Sequence, residues 1–416
     1  MRVLHLVKTS LGAGWALRQM RELVRLGVEV HAAMPSGGPL VPLYEAAGVT
    51  VHRGQFDFPT RDPWSWPALR RRARELVSGI RPDLIHSHFV GTTLTMRLAL
   101  GRDHPVPRLF QVPGPLHLEH AAFRRAELLV AGRSDRWVGA CRWTCDRYRA
   151  SGIPDDRVFL SYYGTNPESF GDRAPGTLRA ELGCDARTKL VGMVAYMYAP
   201  KRFLGQVRGL KGHEDFIDAL ALVREHDPEV LGVCIGGAWE GATAYATRVR
   251  AYAGSRLGVH LRFLGTRADV AELYPDLDVA VHPSHSENVG GAVESLLAGI
   301  PTIATNVGGF PDLVIHGKTG RLVPPRDPAR LASSILETLE DPTSARAMAV
   351  RGRALARTMF DARSCAAEIR DIYRKILEGP VSDDHERDFE IQDTERTRPL
   401  QTPSLFGGDR PQALGR

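Results

Sequence analysis

The stretch His282-Pro283-Ser284-His285-Ser286-Glu287-Asn288-Val289-Gly290-Gly291-Ala292-Val293-Glu294 gathers more chemistry than any other part of the chain. A strand end, a polar turn, two glycines and a helix follow one another. Glycines at a helix start expose backbone amides, and the positive end of the helix dipole favours phosphate oxygens there. Glu294 lies one turn further in, where a carboxylate can accept both hydroxyls of a ribose. Glu287, in the turn, can reach a hexose ring. Helix capping explains either glutamate alone but not the whole cluster. A second motif is Gly209-Leu210-Lys211-Gly212-His213-Glu214-Asp215. Lys211 sits where a helix begins, a poor place for a cation unless an anion neutralises both charge and dipole. A diphosphate would do so. Lys201, Arg202 and Arg208 precede it in a long loop, and one of them is expected to add a second positive charge.

The first half offers weaker signals. Ser10-Leu11-Gly12-Ala13-Gly14-Trp15 lies between a strand and a helix, where Gly12 and Gly14 let the backbone approach an anion. As a nicotinamide site it fails twice. Leu17 stands where a third glycine belongs, and no acidic residue follows the strand ending at Ala33-Met34. His86 and His88 are two apart near the end of a strand and so face the same way. They fit a hydrogen-bonded structural pair or a site at the strand end. A metal would want a third ligand, and none is evident nearby in the sequence. In Gln111–His120, the residues His117, Glu119 and His120 are polar groups in an apolar, Pro-rich turn. One of them can hydrogen-bond a sugar hydroxyl; simple surface exposure is the alternative.

The elements that must position these residues are legible as short apolar runs alternating with helical patterns, the mark of an α/β protein with parallel sheets. Strands are predicted at 3–7, 28–33, 84–88, 108–112 and 137–139, then at 189–194, 230–235, 261–264, 279–282 and 302–304. Their continuous apolar character suits strands covered on both faces. Ala16, Met20, Leu23 and Val24 recur at helical spacing, and Gly27 stops that helix. Phe216, Leu220 and Val223 mark another helix face. The chain therefore reads as two consecutive units, 1–172 and 186–360, with a seam near 171–185 rich in Gly, Pro and charge. A helix at 361–377 carries apolar spacing (Ile369, Ile372, Tyr373, Ile376) and is expected to pack back on the first unit. Residues 378–416 hold few apolar groups and read as disordered.

Length and composition agree. The 416 residues exceed one ordinary domain. Hydrophobic residues are 43% and charged residues 25%, a globular composition. The formal charge is +6, much of it in Arg-rich helix faces such as Arg70-Arg71-Arg72-Ala73-Arg74. Such faces are solvated, or attract anionic substrates or a membrane surface. No basic stretch is interleaved with aromatics, which argues against nucleic acid. The five dispersed cysteines argue against a disulfide framework, and the Cys141/Cys145 pair is a poor zinc signal. No signal peptide and no apolar run long enough to span a bilayer is seen, so a cytoplasmic protein is expected.

With Val307-Gly308-Gly309-Phe310-Pro311-Asp312-Leu313-Val314 and Gly317-Lys318-Thr319-Gly320-Arg321-Leu322-Val323, the 282–301 motif resembles glycosyltransferase family 4. Lys211-Gly212, the Asp83–His88 strand and Tyr162-Tyr163-Gly164-Thr165-Asn166 fit the same family. The resemblance covers nearly the whole chain to about Leu377. It implies a GT-B fold: two Rossmann-like domains, an N-terminal acceptor domain and a C-terminal donor domain, facing each other across a cleft. It implies a retaining, metal-independent transferase, with no cofactor beyond a nucleotide sugar as substrate, most commonly UDP-linked. By the resemblance Glu294 would bind the donor ribose, Lys211 the diphosphate, and Gly290 and Gly291 would supply amides. His117 or a neighbour would stand near the donor sugar, and the Leu264–Arg267 turn near the base. The expected catalytic residues are His117, Lys211 and Glu287. The expected donor-binding residues are Gly12, Gly14, Lys201, Arg208, Lys211, Gly237, Arg267, Glu287, Asn288, Val289, Gly290, Gly291 and Glu294, with no metal ligand.

The chain departs from the family in two places: the phosphate Arg that commonly precedes Lys-Gly is displaced by a longer Tyr196–Gly209 loop, and the paired glutamates are out of register. The family's paired glutamates are separated by seven residues, and counting back from Glu294 that position holds Ser286, with Glu287 one place late. The acceptor stays open between an aminocyclitol or natural product, a polysaccharide unit and a lipid-linked saccharide, with membrane contact peripheral at most. A nucleotide-sugar epimerase on the same fold and a non-catalytic transferase subunit are the rival readings.

Overall fold

A computed structural model describes residues 1–60, 62–185 and 187–379. The disordered tail expected over 378–416 lies, from residue 380 on, outside the described residues. The first half builds β1 (Arg2–Leu6), β2 (Glu29–Met34), β3 (Thr50–Arg53), β4 (Leu84–Ser87), β5 (Arg108–Val112), β6 (Asp135–Gly139) and β7 (Val158–Leu160). They form one parallel sheet in the order β3-β2-β1-β4-β5-β6-β7. The second half builds β8 (Lys189–Val194), β9 (Val230–Ile235), β10 (Leu261–Gly265), β11 (Val279–His282), β12 (Thr302–Thr305) and β13 (Arg321–Val323). They form a second parallel sheet in the order β10-β9-β8-β11-β12-β13.

Helices cover both faces of each sheet, so the central strands are buried and mostly apolar. Strand order reverses between β1 and β4, and again between β8 and β11. Loops at such a switch point diverge and leave a crevice at the strands' C-terminal ends. The Gly12 loop follows β1, His88 follows β4, Tyr196 and Tyr198 follow β8, and the 283–289 turn follows β11. The topology thus delivers every motif singled out above to one of two facing crevices, except Lys211 and the Gln111–His120 turn, which reach the same region from adjacent loops.

The expected strands are all present, within two residues at their ends. Three more were not anticipated: β3, β7 and β13. Each is only three or four residues long and lies at a sheet edge. An edge strand keeps one side wet, so it carries no continuous apolar run. The seam is not a bare linker. Its helix Thr177–Leu182 buries Leu178 against Leu190, Leu273 and Tyr274 of the second half. Asp276 accepts the amides of Gly176 and Leu178 at 2.6 Å each, capping that helix start from a distant segment.

Two devices tie the halves together. The helix Ala362–Glu378 crosses back and buries Ile369, Ile372 and Tyr373 beside Val3, Ala16 and Met20 of the first half. Gly164 permits the crossing, because a Cβ there would stand 2.4 Å from the Cα of Ala362. At the opposite contact, Cys141 and Tyr162 of the first half share an apolar cluster with Val289, Ala292 and Val293 of the second. Asp312 locks it, accepting from the Arg142 amide at 2.8 Å and the Tyr162 hydroxyl at 2.9 Å. Among the described residues no helix is long and apolar enough to cross a membrane.

Candidate active site

The second-half crevice is built by the turn after β11 and the helix Gly290–Leu297. Gly290 opens that helix at a φ of +32°, and Val289 precedes it. Lys211, Tyr198, Gly236, Arg267, His282, Glu287, Gly290, Gly291 and Glu294 line one cleft of about 530 Å³. Lys211 arrives from the start of the helix His213–His226, directed across the 283–287 turn because Gly212, at a φ of +74°, lies so close to Pro283 that any Cβ would touch its carbonyl oxygen. The Lys211 ammonium forms an ion pair with Glu287 and lies 5.9 Å from the centre of the Tyr198 ring. Glu287 is held further by the Asn288 amide at 3.1 Å and the Ser284 hydroxyl at 3.4 Å.

Glu294 is the most perturbed acid of the cleft. Burial pushes its carboxyl up to about 7, opposed by Arg18 reaching over from the first half. His282, beside it, is driven down to about 3 by burial and by Lys211; its neutral ring shares a 3.0 Å hydrogen bond with Ser295. The cleft is therefore an amide-lined trough holding the Lys211 ammonium, with a carboxyl one helical turn away.

Several expected residues are placed differently. The His117 ring turns inward onto Phe110 and shares a 3.1 Å hydrogen bond with Tyr148, and burial drives it down to about 3. Its apolar surroundings won over the cleft; its neighbours Glu119 and His120 face the open space instead. Lys201 is exposed, and its amide bonds Gln206. Arg208 is engaged by Asp215 and Asp218 of the following helix and borders a different cavity. Val289 belongs to the interdomain core rather than the cleft wall. Asn288 is nearly buried. Gly236, not Gly237, lines the cleft, whereas the Gly237 carbonyl accepts the Met197 amide at 2.8 Å. Arg267 does line the cleft but is paired with Glu181 and Asp269. Nor is Lys211 an unbalanced cation at a helix start. Glu287 pairs it, and Glu214 and Asp215 already answer the dipole in the first turn.

The Gly12 loop meets the other half directly. Gly12 has a φ of +67°, and a Cβ there would sit 2.5 Å from the Trp239 ring. Gly14 starts the helix Gly14–Arg25 behind it. Arg18, Tyr198 and Trp239 were not found from sequence, because nothing in their spacing marks them; only the facing of the two crevices does.

His86 and His88 acquire the third partner that the sequence hid. His5 on β1 joins them, with one ring nitrogen from each within 4.8 Å of the others. His5 and His88 share a 3.0 Å hydrogen bond, and Tyr373 and Tyr163 bond His86 and His88 at 2.6 and 2.8 Å. Burial holds all three rings well on the neutral side. The group is a buried strut between the first sheet and the last helix.

Two Rossmann-like halves with an amide-lined trough between them define a GT-B protein. The sequence comparisons narrow this. Residues 15–169 match the model for Glycosyltransferase Family 4, and residues 202–355 that for Glycosyl transferases group 1. A D-inositol 3-phosphate glycosyltransferase of Corynebacterium efficiens is 32% identical over 349 residues, 77% of this chain and 80% of that protein. One of Thermobispora bispora is 30% identical over 307 residues, 71% of this chain and 65% of that protein. Anabaena HepE, solved with UDP and glucose, superposes with a TM-score of 0.75 at 22% identity, covering 90% of this chain and all of that one. The chain belongs to the family 4, group 1 glycosyltransferases.

Proposed function

We propose that the protein transfers a sugar from a UDP-linked donor to a hydroxyl of a polyol or saccharide acceptor, with retention of anomeric configuration and without a metal ion. The observation that carries this is the shared lining of one cleft by Lys211, the Gly290–Gly291 amides and Glu294. A diphosphate laid on the helix start would replace Glu287 as the counterion of Lys211. The Glu294 carboxylate, one turn further, is placed to accept two vicinal ribose hydroxyls. Ammonium and amides together stabilise charge on the departing diphosphate, the task that a divalent ion performs elsewhere. Among the described residues no side chain of the cleft stands out as a nucleophile. Same-face attack by the acceptor, its proton passing to the leaving phosphate, is the step we favour.

UDP and glucose in HepE, and the inositol phosphate in the relatives' names, make a UDP-sugar and a phosphorylated cyclitol the first compounds to try. We place the reaction in the cytoplasm, with any membrane contact peripheral.

Calorimetric titration of the protein with UDP, GDP and dTDP in EDTA, followed by NMR of the anomeric proton of the product, tests the reading. Tight UDP binding and an α-linked product from an α-donor are expected. An inverted product would end the retaining mechanism, and absence of binding by every nucleotide would end the donor assignment. Lys211→Ala and Glu294→Ala should each lower kcat/KM by on the order of a hundredfold. Wild-type turnover in both variants would remove these residues from the site.

A further inference from the structure

The helix Trp66–Ile80 follows the edge strand β3 and buries Leu69, Ala73, Val77 and Ile80 against Leu4, Leu6 and Ile85 of the first sheet. Its apolar face is spent on the core, and its outer side is cationic. Arg70, Arg71, Arg72 and Arg74 are exposed, against Glu75 as the one acid of the helix. Arg72 folds back over Phe56, its guanidinium carbon 5.5 Å from the ring centre. Arg70, Arg71 and Arg74, spaced i, i+1 and i+4, share the outer side.

This arrangement does not serve the helix itself. Positive charge in the first turns opposes the helix dipole, and no acid stands in the first turn to offset it. The pair of Arg71 with Glu75, at 3.7 Å, has its cation on the N-terminal side, which is the weaker order. Just ahead of the helix, Trp64 is 91% exposed. It is held there rather than left loose. The turn Pro63–Ser65 runs straight into the helix, and the Ser65 hydroxyl donates to the Asp62 carbonyl at 2.7 Å. Trp66, two residues on, packs on Phe58 with ring centres 5.5 Å apart. One tryptophan anchors the turn and the other is presented to water. Trp64 and Arg71 are seven apart, so they fall on one side of the helical path.

An indole held in water beside three guanidinium groups has the chemistry of a bilayer interface. The amphipathic ring suits the headgroup layer, and the arginines suit anionic lipid phosphates. The loop before Trp64 also borders the first-half crevice, where Asp57 pairs at 3.0 Å with Lys8, just after β1. We propose that this face docks the protein on an anionic membrane surface. Trp64 enters the headgroup layer while Arg70, Arg71 and Arg74 lie over lipid phosphates. Docking is peripheral, because the helix keeps its apolar face in the core, and it brings the first-half crevice to the level of the headgroups. This goes beyond the donor reading above and does not depend on it.

The test is sedimentation of the full chain with vesicles of phosphatidylcholine, with or without phosphatidylglycerol, at low and high salt. Binding is expected only with phosphatidylglycerol present and should weaken as salt rises. Arg70→Glu with Arg71→Glu should lower vesicle affinity by about tenfold or more. Trp64→Ser should lower it by about threefold to tenfold, and brominated lipid should quench the fluorescence of the wild type more than that of Trp64→Phe. These side chains are exposed, so every variant should keep the wild-type melting temperature and UDP affinity. Equal sedimentation with both vesicle types, or wild-type affinity in the arginine variant, would overturn the docking face. No sedimentation with either vesicle would overturn it as a membrane site and leave an acidic protein as the partner to seek. Binding that needs the arginines but not Trp64 would overturn it too, since attraction of a polyanion to charge alone requires no indole. Failure of the wild type to bind UDP would end the donor reading and leave this one standing.

Discussion

At the scale of single residues, Glu294 shows how one carboxyl serves binding at the expense of stability. Burial lifts it from 4.5 to about 7, so near neutrality it is a mixture of acid and carboxylate. Only the carboxylate accepts both hydroxyls of a ribose. UDP affinity is therefore expected to rise as pH climbs through about 7, and Glu294→Gln should flatten that rise; calorimetry across the range checks both. The sign for folding is opposite. A carboxyl with a raised pKa binds more protons folded than unfolded between 4.5 and about 7, so its contribution to stability declines over that window as pH rises. Above it, Glu294→Gln should melt higher than the wild type while binding UDP poorly. A lower melting temperature in that variant would mean that Glu294 has a structural partner in addition to its distant attraction to Arg18.

At the scale of elements, the Gly12 loop and Trp239 bring the two crevices into contact. Gly12 needs a left-handed backbone and room against the Trp239 ring. Ala at this position strains the turn by roughly 1 kcal/mol and pushes the ring away. Gly12→Ala should raise the donor KM more than it lowers the melting temperature, and adding Trp239→Ala should restore part of the KM. Steady-state kinetics on the single and double variants distinguish this from plain misfolding, which no second substitution at Trp239 would repair. The elements themselves were largely readable, because buried parallel strands need continuous apolar runs whatever they pair with. β3, β7 and β13 were not, since short edge strands are defined by their neighbours' hydrogen bonds and not by their own composition.

At the scale of the molecule, the last helix makes the two halves one structure. Ile369, Ile372 and Tyr373 complete the core of the first half, and Tyr373 closes the three-histidine strut by its 2.6 Å bond to His86. Ile369 is fully buried. Ile369→Ala should cost about 2–5 kcal/mol, read as a lower denaturant midpoint. Because Ile369 packs in the core of the first half, this substitution should destabilise the first half more than the second. Limited proteolysis with mass spectrometry of that variant would show which half is cut first.

The amino-acid order alone determined the α/β class, the repetition of a strand-first unit, the family resemblance and the Gly290–Glu294 helix start. All of these depend on local pattern: which residues repeat along a strand, which fall one turn apart on a helix, which can open a helix to an anion. Tertiary structure decided what faces what. It buried His117 on Tyr148 and left Glu119 open, gave Lys211 the partner Glu287, spent Arg208 on Asp215 and Asp218, and brought His5 to His86 and His88. Those outcomes follow from the opposition of two crevices and from competition among charges for partners. Both are set by distances between segments up to hundreds of residues apart, and no spacing along the chain encodes them.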